Sequence, residues 1–204
     1  MINSKINSNE QLREIYGFPK GRAEKKVLNT LEKHSKNFIN HSPFLLLSSI
    51  DKEGKMDVSP RGGSSGFVKV INNNTLVVPD AKGNNRVDTL TNIIETGHVG
   101  MIFLIPGIDE TLRINGTAYI TTEKSVLALF EDEDKQPISC LVIHAEEIFL
   151  HCAKALMRSK LWEEDYKVKT KDFPSMGRML KDQLNSSEEP ETREDMVKRY
   201  QADL

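Results

Sequence analysis

Basic and amide side chains crowd one part of this chain. Between Met56 and Asn92, in MDVSPRGGSSGFVKVINNNTLVVPDAKGNNRVDTLTN, stand Arg61, Lys82, Asn84, Asn85 and Arg86, with Ser59 and Pro79 close by. Together such groups recognise an anion: arginine forks bond phosphate oxygens bidentately, lysine adds a point charge, and amides donate hydrogen bonds. A second group comes much later. Lys154, Arg158 and Trp162 recur at i, i+4 and i+8, near one face if the segment is helical. A cation beside an aromatic plate suits a flat anionic ligand, and the same tryptophan would equally serve to anchor a helix.

Nucleophilic and metal chemistry find less support. Ser64 and Ser65 adjoin glycines without forming a G-x-S-x-G elbow. His151 and Cys152 are consecutive, and consecutive strand residues point to opposite faces, so a Cys–His pair is not expected. His151 reads either as a wall of a substrate pocket or, with more support, as a structural residue at a strand end. Arg113 lies in a strand interior and should pair with a carboxylate. The acidic run Glu131 to Asp134 reads as a solvated loop, because its carboxylates follow one another instead of converging. No metal is expected.

The elements that position these residues can be read locally. Phe67 to Ile71 alternates like a strand, Leu76 to Pro79 is a second short apolar run, and Asn72-Asn73-Asn74 between them is turn chemistry. A turn centred on Asn73 sets Val70 opposite Leu76 and Gly66 opposite Asp80. The same register carried outward brings Ser59 and Arg61 toward Asn84 and Asn85, with Gly62, Gly63 and Gly66 pointing to a bulge or a close backbone approach. Val87, Leu90, Ile93 and Ile94 then share a helical face, with Asn84 or Asn85 as N-cap. A helix N-terminus favours an anion, and Arg86, Lys82 and Arg61 gather at this one. A solvated turn would account for the charges alone; their combination with SPRGG and the hairpin favours a phosphate site.

Elsewhere, Met1 to Lys20 is polar and should pack loosely. Gly21 to Ile39 reads as a helix with Val27, Leu31 and Phe38 on its apolar stripe and His34 beside it. Phe44 to Ile50 reads as a buried strand, Asp51 to Gly54 as a turn and Met56 to Ser59 as the next strand. Val99 to Ile105 belongs in the core, and Pro106-Gly107 breaks it. Thr111 to Thr121 is a long strand bent at Gly116. Glu123 to Phe130 reads as a short helix, Ile138 to Phe149 as the last strand and His151 to Trp162 as a basic helical segment. Past Lys167 come two helices, one carrying Met176, Met179, Leu180 and Leu184 and one over Glu191 to Tyr200, joined by the linker SSEEPE. Six or seven strands joined mostly by short turns make a mainly antiparallel sheet that closes most readily into a barrel. Three parts follow: a polar segment 1–20, a barrel domain 21–166, and a helical extension 167–204 packed on the barrel.

With 204 residues, 38% hydrophobic and 28% charged, the chain suits one domain with a real core. A net charge of −2 and 6% aromatic residues argue against a nucleic-acid or membrane-surface binder. No apolar run approaches the ~20 residues of a membrane span, and no signal-peptide core is seen. Two cysteines far apart, Cys140 and Cys152, fit a reduced setting, so a cytoplasmic protein is expected.

SPRGG, a strand, VPDAKGNNR, then IPGIDETLRINGTA and HCAKALMRSKLW, in that order, resemble the pyridoxamine 5′-phosphate oxidase-like superfamily, and within it FMN-dependent proteins of about this length. The resemblance covers Val27 to the C-terminus. It implies a mainly β split barrel with flanking helices that forms a homodimer, with FMN in grooves between the subunits. It implies phosphate contacts from this hairpin and helix start, where Arg61, Lys82, Asn84, Asn85 and Arg86 stand. The ring's pyrimidine edge would meet backbone at Val58–Ser59 and Val78–Pro79, and Lys154, Arg158 and Trp162 would border the ring from the partner. True pyridoxamine-phosphate oxidases also carry a C-terminal Arg-x-His element. No histidine follows Trp162 here, so pyridoxamine phosphate is not the expected substrate. The expected function is FMN-dependent oxidoreduction of a small molecule, in which the flavin carries the redox work and no protein nucleophile is needed. The alternative is a non-enzymatic flavin or haem binding or storage protein.

Overall fold

The computed structural model describes residues 5–133 and 135–201; readings made for the other positions lie outside it. Seven strands are β1 Phe44–Ile50, β2 Met56–Gly62, β3 Lys69–Val70, β4 Thr75–Asp80, β5 His98–Leu104, β6 Thr111–Thr121 and β7 Ser139–His151. They form one antiparallel sheet in the order β2-β1-β5-β6-β7-β4-β3. The helices are α1 Asn9–Tyr16, α2 Arg22–Lys25, α3 Lys33–His41, α4 Asp88–Thr96, α5 Lys124–Leu127, α6 Lys154–Ser159, α7 Met176–Leu184 and α8 Arg193–Gln201. No helix among the described residues is long and apolar enough to cross a membrane.

Strand alternation builds the core. Leu45 and Leu47 of β1, Met101 and Phe103 of β5, Leu112 and Ile114 of β6, and Leu141, Ile143 and Ile148 of β7 all point inward and are buried. Phe38 and Ile39 of α3 and Ile93 of α4 join the same core. The sheet curls back on itself, because Arg61 on β2 reaches Asp80 on β4 although β1, β5, β6 and β7 lie between them in the sheet. A β-bulge between Asn115 and Gly116 supplies the bend expected there: a Cβ on Gly116 would stand 1.9 Å from the His144 carbonyl oxygen. Phe44 and Leu46 point outward, so β1 is apolar on both faces but buried on one only.

Several local expectations are corrected. The helix read over Gly21 to Ile39 is two helices, α2 and α3, because Leu28 leaves helical geometry to bridge Ile148 and Glu32 caps α3 by accepting the His34 and Ser35 amides. The strand read from Phe67 to Ile71 shortens to β3. Val70 does face Leu76, but Gly66 turns away at φ +79 toward Ser42, and Asp80 pairs with Ser139 instead. Ile94 and Val87 are exposed, so α4 buries Thr89 and Ile93, with Leu90 partly buried beside them. Neither α7 nor α8 buries a residue; a bidentate Arg199–Glu191 pair ties α8 to the linker before it.

Candidate functional site

A cavity of about 1020 Å³ opens between the ends of β2 and β4, the loop 81–87, the start of α4 and the loop before β7. Its size matches small-molecule and cofactor sites. Ser59, Arg61, Pro79 and Asp80 are half-buried within it, and Lys82, Asn84, Asn85 and Arg86 stand exposed around its rim. Phe67 and Phe130, both buried, supply an apolar wall. The expected register did not assemble this group. Barrel closure did, by bringing β2, the sheet's edge strand, against the far end of β4.

Arg61 is the cation on the cavity floor. Its Nη2 lies 3.7 Å from Asp80 Oδ1, its Nη1 donates to the Pro60 carbonyl at 3.0 Å, and its buried Nε meets no acceptor. A buried donor left without a partner costs about 1–3 kcal/mol, so an acceptor oxygen here is favoured. Burial pushes the Asp80 carboxyl up, and the Arg61 charge pulls partly back. Beside them, Asp57 accepts hydrogen bonds from the Ser59 hydroxyl at 3.1 Å and from the Thr89 hydroxyl, pinning the start of α4 to β2.

The rim differs from the sequence reading in two respects. Arg86 does not face inward: its Nε donates to Asp88 at 2.9 Å and its side chain is 73% exposed. Neither Asn84 nor Asn85 caps α4. Asn84 accepts the Arg86 amide to close a local turn, Asn85 sits at φ +61, and Val87 occupies the cap position without a side-chain bond. The α4 amides therefore remain uncapped by side chains beside the cavity.

Lys154, Arg158 and Trp162 do not line this cavity. Nor do they share a helical face, because α6 ends at Ser159 and Lys160 turns left-handed at φ +51. Lys154 and Arg158 are exposed on α6, and the Trp162 indole donates to the Ile108 carbonyl at 3.0 Å, fastening the segment to the β5–β6 turn. Arg113 pairs with Glu147 at 2.9 Å, as expected, and lies over the Phe149 ring. His151 packs against the same ring, and burial together with Lys26 and Arg113 lowers its pKa.

Among the cavity residues that the sequence did not point to are Asp57, Asp80 and Thr89. Asp80 carried a signal, since it ends β4, the strand that the Asn72 to Asn74 turn leads into. The Asp57–Thr89 bond joins positions 32 apart and leaves no local trace.

Comparison with known proteins bears on this geometry. A family model described as pyridoxamine 5′-phosphate oxidase matches residues 31–152, which hold the whole sheet and the cavity. The chain belongs to the pyridoxamine 5′-phosphate oxidase-like split-barrel family. No curated protein matches it. Among solved structures, HupZ from Group A Streptococcus is 20% identical, with 59% of this chain and 93% of that chain covered and a TM-score of 0.50. A HupZ variant gives 19%, 59%, 99% and 0.50. HutZ, the haem storage protein from Vibrio cholerae, gives 16%, 59%, 94% and 0.45. At these identities the likeness concerns the fold, and the split barrel of the family is the fold of this chain. Within the cavity the buried Arg61 Nε lacks an acceptor, and Lys82, Arg86 and the start of α4 belong to the same lining, a donor set that suits an anionic group.

Proposed function

We propose that this protein binds FMN in the cavity between β2, β4 and α4 and uses it, as a homodimer, for oxidoreduction of a small molecule. The observation that carries this reading is the partnerless Nε of Arg61 on the cavity floor. Arg61 and Lys82 would hold the phosphate, with Asn84 and Asn85 offering further donors and Arg86 adding charge at the rim. The outer edge of β2 is unpaired, and β3 covers β4 only at Leu76 and Val77. These open strand edges border the cavity at Ser59 and Pro79, and backbone groups along them can bond the polar edge of a flavin ring. Phe67, Phe130 and Leu90 would keep water from its apolar side. Bound FMN supplies the electron-transfer chemistry.

A second copy of the chain fits the outward face of the sheet. Leu46, paired with Ile102 on one side and Pro60 on the other, lies beside Phe44 and Val58, and the four apolar side chains are 36–59% exposed. One cross-strand row on this face runs Gly62–Phe44–Leu104, and across the β5–β6 turn Thr111 pairs with His151. The cavity lies at the Gly62 end and the α6–Trp162 segment follows His151. A two-fold partner docked here would carry its own segment toward this cavity, which supports a role in trans for Lys154, Arg158 and Trp162.

Haem is the weaker reading. Among the described residues the cavity lining holds no histidine, cysteine, methionine or tyrosine to bind iron. The test is to purify the protein and identify what comes with it by absorbance and mass spectrometry, then to add NADH or NADPH. Co-purifying FMN that the nicotinamide bleaches and a substrate reoxidises supports the oxidoreductase. FMN that turns over nothing makes the protein a flavin carrier, and a haem spectrum overturns both.

A further inference from the structure

We propose that Asp80 is a built-in competitor for Arg61: a phosphate monoester entering the cavity takes over the guanidinium, and Asp80 takes up a proton from solvent. This rests on the flavin-phosphate reading of the cavity.

The Arg61–Asp80 pair is only partly made. At 3.7 Å it is an ion pair beyond hydrogen-bond length, and both side chains are 21% exposed. The adjacent Nε has no acceptor at all. Nε is closed off as the side chain stands, but a phosphate that draws the guanidinium outward can serve Nε and Nη2 with two parallel bonds, which one distant carboxylate oxygen does not. Asp80 would then be left beside a dianion. It has little freedom to leave, because its backbone is held in β4 opposite Ser139 and the side chain sits in the cavity wall. Burial already disfavours its charged form, and Arg61 is the group that opposes this. Once the ligand occupies Arg61, protonation is the remaining way to remove the repulsion.

The other charged groups around the cavity have their own partners or do not stand in for Asp80. Asp57 on β2 is held by the Ser59 and Thr89 hydroxyls. Glu133, before β7, pairs with Lys69 of β3 at 3.1 Å, and Asp88 of α4 pairs with Arg86. Cys140 on β7 is buried, and burial and the Asp80 charge push its thiol up, so it stays neutral. Lys82 and Lys135 add positive charge to the lining and release no proton need. Asp80 is therefore the carboxylate whose partner an incoming phosphate removes.

The test is calorimetric titration of FMN into wild type and Asp80→Asn at about pH 7, in buffers of different ionisation enthalpy, which counts protons bound per ligand. Titration of the FMN phosphate itself is common to both proteins and cancels in the comparison. Wild type should take up more protons per FMN than Asp80→Asn. The variant should bind FMN about tenfold tighter, the equivalent of one pKa unit. That gap should close as pH falls and the wild-type carboxyl becomes neutral. Riboflavin should show no difference in proton uptake. Asp80→Ser serves as a second variant and should behave like Asp80→Asn. Equal proton uptake, or weaker FMN binding by both variants, overturns the competitor role and leaves the flavin site standing. Absence of FMN binding by wild type at every pH overturns both.

Discussion

Arg61 on β2 and Asp80 on β4 meet 3.7 Å apart at the seam of the barrel, although four strands lie between theirs in the sheet. The contact turns a sheet edge into a cavity floor. It also sets an inner cation, Arg61, apart from an outer one, Arg86, which is engaged with Asp88 and exposed. Affinity for a phosphate should therefore be distributed unevenly between the two.

Arg61→Ala should weaken FMN binding by on the order of 1.5–3 kcal/mol, the range for a charge-assisted hydrogen bond. Arg61→Lys should recover part of that loss, because it restores charge without the fork. Arg86→Ala should cost about 1 kcal/mol or less, as exposed ion pairs do. Flavin fluorescence titration of the three variants checks the order. Equal losses at positions 61 and 86 would mean that the phosphate sits at the rim.

Asp80 predicts a pH dependence of stability. Its folded pKa lies above the ordinary value of 3.8, mainly through burial. Such a group stabilises the fold fully below the unfolded pKa, and the contribution is lost as pH rises through the folded pKa. Urea unfolding should then show wild type losing stability relative to Asp80→Asn as pH rises from about 3.8 toward neutrality. A constant difference across that range would contradict the assignment.

What the sequence revealed was local. Phe44 to Ile50 and Thr111 to Thr121 were legible because Pro43, Pro106-Gly107 and charged turns bracket dense or alternating apolar runs. The Asn72 to Asn74 turn fixed Val70 against Leu76. What it hid was tertiary or lacked a marker. The depth of Arg61 depends on barrel closure, and the turn of Arg86 toward Asp88 depends on side-chain geometry. The end of α6 rests on a lysine at positive φ, where a glycine would have announced the break. Gly21 to Ile39 kept a helical stripe while Leu28 left it to join the sheet edge.

Gly116→Ala should destabilise the fold on the order of 3 kcal/mol, because a Cβ there would stand 1.9 Å from a backbone oxygen in a buried bulge. Chemical denaturation measures it. Flavin affinity per folded molecule should not change, since the bulge lies away from the cavity lining.

If the α6–Trp162 segment acts in trans, Arg61→Ala and Trp162→Ala damage different halves of each site. Dimers reassembled from the two variants would then contain one intact site, formed by the cavity of the Trp162→Ala subunit and the segment of the other. Tight FMN binding should reappear on mixing, to at most half the wild-type stoichiometry in each mixed dimer. No recovery in mixed dimers, with a lowered melting temperature for Trp162→Ala and unaltered flavin binding, would make the segment a scaffold fastened to Ile108.

The most direct measurement is titration of wild-type protein stripped of any bound small molecule with FMN and with riboflavin, followed by flavin fluorescence. The phosphate-binding cavity predicts saturable binding of one FMN per chain, with riboflavin weaker by on the order of 1.5–3 kcal/mol or more, reflecting the charge-assisted contacts that the phosphate makes. Equal affinity for the two flavins, or no saturable binding of either, would contradict it.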